Sequence, residues 1–122
     1  MTVSSAGTFN VALRAFDSCA ATSSGSAPNR VFTVEWFDFA FSVGGAPGVE
    51  RLRFQAKLFE TSNVVELHDC ALLANGGSAD LVSGASATVG LENAAGTDAV
   101  RHSFNTPGSV VSGGALRFTP QP

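Results

Sequence analysis

The sequence predicts an all-β fold on three observations. Short runs alternate apolar and polar residues with period two, the side-chain period of a strand. Gly, Pro, Asn and Ser punctuate these runs at the spacing of a sandwich or barrel. No stretch repeats convincingly at the helical period. At 122 residues the chain suits one domain, 1–122, large enough to bury a core.

In chain order, "TFNVALRAF" sets Phe9, Val11 and Leu13 against Asn10, Ala12 and Arg14, after a tight turn at Ala6-Gly7. Residues 17–29 form a Ser/Ala/Gly-rich loop with little that packs, for which Cys19 is the expected anchor. In "RVFTVEWFDFAF" strand alternation puts Phe32, Val34 and Trp36 on one face and Phe37, Phe39 and Phe41 on the other. The first three are expected in the core with Leu52, Phe54 and Leu58. The other three need a cover: a β-bulge near Trp36 that swaps faces, the chain's own long loops, or a second copy. A bulge is the expected solution, because one extra residue suffices.

"ERLRFQAKLFE" turns Leu52, Phe54, Ala56 and Leu58 inward against Arg51, Arg53, Gln55, Lys57 and Phe59. Thr61-Ser62-Asn63 connects it to "VVELHDCALLA", where Val65 and Leu67 continue the inward face, so the two segments read as a hairpin. A loop over 75–84 follows. "ASATVGLEN" then brings Ala87, Val89 and Leu91 to one face, and the turn "AAGTD" leads into "AVRHSFN". Pro107-Gly108 breaks that strand. "GGALRFTP" alternates Leu116 and Phe118 with Ala115 and Arg117 before Pro120 and Pro122 end it. The tally is an antiparallel β-sandwich of about seven to eight strands, jelly-roll or immunoglobulin-like in outline, without significant helix.

Only 14% of residues are charged, against roughly 25% in an average globular domain, so Ser, Thr, Asn and Gly must finish the surface, as is common outside the cell. The net charge of −3 is unclustered, which argues against nucleic acid and anionic membrane. No apolar run approaches the roughly 18 residues of a membrane span, so no membrane insertion is expected. "MTVSSAGTFN" lacks the basic start and apolar core of a signal peptide. Met1 therefore reads as a start added to a fragment of a longer exported protein. Cys19 and Cys70 show no zinc-ligand spacing. They are either two free core thiols or one disulfide, and the polar exterior favours the disulfide and an oxidising compartment.

Candidate chemistry is sparse. His68-Asp69 or His102 with Ser103 would supply triad residue types, and Glu66 a metal ligand, but no nucleophile motif accompanies them and both histidines are expected to point outward from strands. Glu35 and Asp38 flank Trp36, yet three residues apart on a strand they face opposite sides and cannot share a glycoside. The turn holding Glu92, Asn93 and Asp98 offers oxygen ligands for calcium, though these are also ordinary turn residues. Calcium is thus the one candidate cofactor, and no enzyme activity is expected. Trp36, Phe37, Phe39 and Phe41 form a candidate interface or ligand platform.

The runs "APNRVFTVEW", "FQAKLFETSNVVEL", "SATVGLENAAGTDAVRHSFNTP" and "GGALRFTP", in that order over 27–120, resemble a module repeated in secreted and surface proteins of bacteria, especially myxobacteria. The outline is similar to the extracellular nidogen-like domain, and "VSSAGTF" resembles the hairpin that opens such modules. The segment before "APNRVFTVEW" is short where such modules carry a Pro-Phe-Trp-Asp-Asp-like element, which leaves the completeness of one sheet open. Asp69 and Cys70 stand where an aromatic residue is usual, which implies a disulfide in place of aromatic packing. The resemblance implies a scaffold without a settled catalytic set. The expected function is a non-catalytic extracellular binding, adhesion or spacer module whose partner is a protein or glycan at the cell surface. The alternatives are a self-associating subunit, hence a homo-oligomer, and a carbohydrate-binding module.

Overall fold

A computed structural model describes residues 9–15, 19 and 23–121, the first of these runs as backbone only. Strands β1 (Phe9–Ala15), β2 (Val31–Phe39), β3 (Ser42–Val43), β4 (Ala46–Pro47), β5 (Arg51–Phe59), β6 (Val65–Leu73), β7 (Thr88–Glu92), β8 (Ala99–Phe104) and β9 (Gly114–Pro120) follow one another, with a π-helical turn at Leu81–Ala85. The fold is all-β, as its alternation predicts. Five strands form an antiparallel sheet in the order β1-β9-β6-β5-β2, while β7–β8 and β3–β4 form separate two-stranded ribbons.

Register explains the core. Antiparallel partners directly opposite one another share a face, so rows of side chains cross the sheet. One row runs Phe32, Leu58, Val65, Phe118; the next runs Val34, Ala56, Leu67, Leu116; the third runs Trp36, Phe54, Asp69, Gly114. The register of β1 places Val11 opposite Phe118 and Leu13 opposite Leu116. Ribbon β7–β8 lies on this face, packing Val89, Leu91 and Val100 against Val65, Leu116 and Phe118. The result is sandwich-like and unequal, with five strands against two among the described residues. Phe118 is 0% exposed.

Three register shifts shape the edges. In β2 the shift falls between Trp36 and Phe39, where Asp38 takes φ 54°, so the expected bulge is present. In β6, Asp69 faces Phe54 and Ala71 faces Arg53, which makes Cys70 the extra residue. In β8, Ser103 faces Val89 and Arg101 faces Gly90, which makes His102 the extra one. Cys70 is bonded to Cys19, with Cα atoms 5.7 Å apart.

The expected loop over 75–84 instead leads into the turn Leu81–Ala85. Two glycines are required there. A side chain at Gly77 would strike the Glu50 carboxylate, and Gly84, at φ 108°, would press one on Ser109. Buried Glu50 accepts the Ser78 N–H at 2.9 Å, and that bond holds its carboxyl below the usual range. The expected turn at Ala6-Gly7, the "VSSAGTF" hairpin and Asp17 of the 17–29 loop lie outside the described residues. No helix among the described residues is long and apolar enough to cross a membrane.

Candidate ligand-binding face and cleft

The covering ribbon reaches β9, β6 and the adjoining part of β5, and it leaves the β2 side of the inner face open. Phe32 is 58% exposed, Trp36 40% and Phe39 49%. The expected burial of Phe32 and Trp36 is therefore corrected. Their face is the core face, as alternation requires, but two covering strands are too narrow to close over a five-stranded sheet. Val34 is partly buried between them.

The bulge also divides the second aromatic set. Trp36 stacks on Phe54 with ring centroids 4.9 Å apart, and Phe39 meets the same ring edge-on at 6.4 Å, so Phe39 has crossed to the face of Trp36. Phe41 lines a cleft together with Trp36 and Phe54. Phe37 stays on the opposite face, 71% exposed, with the Arg53 guanidinium 5.3 Å from its ring centroid. The bulge thus swaps faces as expected but does not bury what it swaps: Phe39 remains 49% exposed and Trp36 40%, and the cover nearest Trp36 stands across a cleft from it.

Ion pairs mark both ends of the open row. Arg30 donates through Nε to Glu60 at 2.8 Å, and these bonds pull the Glu60 carboxyl down to about 2. Arg51 Nε lies 3.4 Å from Asp38. A groove beside Phe32 is lined by Ser24, Arg30, Leu58 and Glu60. At the other end a cavity of about 330 Å³ opens between Trp36, Phe41, Leu52 and Phe54 of the sheet side and Leu81, Val82, Val89 and Val110 of the cover. Asp69 also lines it. Burial pushes the Asp69 carboxyl up to about 6, against the opposing pull of nearby His102 and of the Val111 N–H.

The sign of this shift gives a prediction. A raised carboxyl pKa means that the folded state disfavours the ionised form, so the contribution of Asp69 to stability falls as pH rises from about 4 to about 6 and is flat above. Asp69→Asn should stabilise the domain at pH 8 by about 2 kcal/mol, allowing for partial solvent screening, and abolish the slope. Urea unfolding across that range checks both. An unchanged slope would place the titration elsewhere.

The outer face of the large sheet is polar and well paired. Glu35 accepts from Gln55 at 2.8 Å and Arg53 at 2.9 Å, and the Gln55 bond leads in holding its carboxyl low. Glu66 accepts from Arg117 at 3.1 Å and lies 2.8 Å from His68 Nε2. His68 faces outward as alternation predicts, yet it is buried. The outward direction is as expected, and the sheet separates His68 from Ser103, which shares the core-side face of Val89. His102 is exposed, its Nε2 3.0 Å from the Ser109 carbonyl. Glu35 and Asp38 each engage a different arginine. In the β7–β8 turn the Asn93 amide accepts the Thr97 N–H at 2.9 Å and donates to its hydroxyl at 3.0 Å. Its side chain thus closes the turn between Glu92 and Asp98. No group of three His, Cys, Asp or Glu residues suited to a metal gathers among the described residues.

The sequence offers Trp36, Phe37, Phe39 and Phe41 as the platform but does not reveal Phe54, on which Trp36 stacks and which Phe39 meets edge-on, or Asp69 as the cleft carboxylate. The signal for Asp69 is its third place in the inward series Val65, Leu67, Asp69. No curated protein and no solved structure matches the chain. The sequence model of the family described as NIDO related, that is nidogen-related, matches residues 12–120, nearly the whole sandwich from β1 to β9. The chain belongs to the nidogen-related family.

Proposed function

We propose that the chain is a non-catalytic extracellular binding or adhesion module that presents its open aromatic face to a protein at the cell surface. The observation that carries the reading is the row Phe32, Trp36 and Phe39, exposed on one face and flanked by the Arg30–Glu60 and Arg51–Asp38 ion pairs. An apolar aromatic centre with a polar, charged rim is the anatomy of a protein interface. The Cys19–Cys70 bond supports an oxidising compartment, and family membership supports an extracellular module. A second copy of the chain is the alternative partner, because the same exposure serves self-association. A sugar stacking on Trp36 is the third.

Phe39→Ser distinguishes them. Phe39 is half-exposed, so the change should cost about 1 kcal/mol of stability, while loss of an interface anchor commonly costs about 2 kcal/mol, or roughly 30-fold in affinity. Labelled chain should bind intact cells, and the variant should lose that binding while its melting changes little. Light scattering on the same pair should find a monomer of 12.5 kDa in both. Concentration-dependent mass abolished by the variant would make the partner a second copy, and signal on a glycan array abolished by it would make the ligand a sugar. Cell binding that the variant leaves unchanged would overturn the aromatic face as the site.

A further inference from the structure

We infer that the cavity between the sheet and the turn Leu81–Ala85 binds a small organic cation with an apolar body, an alkyl or aryl amine whose ammonium group pairs with Asp69. This site adjoins the aromatic face, with which it shares Trp36, and does not depend on a partner protein being found there.

The cavity holds about 330 Å³, at the small end of the roughly 300–1,000 Å³ range of ligand pockets. Trp36, Leu52, Phe54, Leu67, Val82 and Val89 give it a predominantly apolar wall. Such a wall favours a ligand body with few polar atoms. Asp69 is the only carboxylate among the described residues that line it. Its position follows from register: Phe54 faces it from β5 and Gly114 from β9, neither of which carries a polar side chain.

The donors already near Asp69 leave capacity to spare. The Val111 N–H and His102 on β8 are the groups near enough to favour the ionised carboxylate against burial. His102 is exposed, and its Nε2 is engaged with the Ser109 carbonyl at 3.0 Å. A carboxylate presents about four acceptor positions, so a ligand ammonium can take those that remain and neutralise the charge; of the polar residues that also line the cavity, Gln55 donates to Glu35 and His68 Nε2 lies 2.8 Å from Glu66. An anionic ligand would add a second negative charge there. A neutral apolar ligand would fill the wall but leave the carboxylate desolvated and unpaired. The Trp36 and Phe54 rings in the wall suit a cation further, since aromatic faces attract organic ammonium groups.

The test uses hexylamine, hexan-1-ol and hexanoate on the purified chain at pH 8, read by the emission of Trp36, the only tryptophan, and by thermal shift. Hexylamine should bind at least tenfold more tightly than hexanol, with hexanoate weakest. The amine preference should fade below about pH 6 as Asp69 takes up a proton. Asp69→Asn should keep the hexanol affinity within twofold and bring hexylamine level with it. Equal binding of all three probes, an amine preference that survives Asp69→Asn, or no binding by any probe would each overturn the inference. The measurement involves the isolated chain alone, so its failure leaves the cell-surface reading standing, and the reverse also holds.

Discussion

Phe118→Ala should remove about 3 to 5 kcal/mol of folding stability, the usual cost of truncating a fully buried aromatic side chain. Phe118 is 0% exposed and meets Val65 across one strand pair and the backbone of Val11 across the other. Val89, Leu91 and Val100 of the covering ribbon pack on the cluster that contains it. Truncation therefore opens a void in the cluster of large side chains that joins the two layers, and the neighbours are too constrained by the ladder to collapse into it. Against a total of about 5 to 15 kcal/mol for a typical domain, that is a large fraction. Urea unfolding would measure it, with Phe37→Ala as the reference change. Phe37 is 71% exposed, and its truncation should cost no more than about 0.5 kcal/mol. A loss below about 1 kcal/mol for Phe118→Ala would mean that the ribbon is not seated on this cluster.

Replacing Cys19 and Cys70 together by alanine should cost about 4 kcal/mol. The bond closes a sequence separation of 51 residues, and in the chain-entropy model a loop of that size restricts the unfolded chain by about this amount. The same bond ties the start of the 17–29 loop to the bulge in β6, where Arg53 also reaches the Cys19 carbonyl at 3.4 Å. Reductant should lower the melting temperature of the parent and leave the double variant unmoved. A parent that melts at the same temperature with and without reductant would show that the bond does not support the fold.

Much of this fold is legible because strands advertise their faces. The alternation of Leu52, Phe54, Ala56 and Leu58 with charged neighbours fixes which side of β5 turns inward, and the hairpin register of β5 and β6 follows from it. Leu116 and Phe118 are readable as core for the same reason. The bulge at Asp38 is legible as a conflict, since the five aromatic residues between Phe32 and Phe41 alternate onto two faces and cannot all be served by one core. How much sheet the second layer covers is not written in any local pattern. Phe32 carries the signature of a core residue and turns the right way, but burial depends on whether β7–β8 extends over it, and it does not. Asp69 is hidden for a related reason. An acid on an apolar face looks like a lapse in packing until the turn Leu81–Ala85, invisible to period-two analysis, is found to roof the space beside it.

The unequal cover divides labour along the sheet. Folding free energy is concentrated around β9, β6 and the adjoining part of β5, where the ribbon seals Val65, Leu116 and Phe118. The recognition chemistry proposed above lies on β2, whose inner-face aromatics Phe32, Trp36 and Phe39 are exposed. A substitution at Phe32 or Phe39 therefore changes what the surface can grip at little thermodynamic expense, because stability responds weakly to residues that bury little area. The β2 face can then be re-lettered one residue at a time to suit a new partner while the sealed half keeps the chain folded, a separation that a symmetric sandwich, buried equally along both sheets, does not offer.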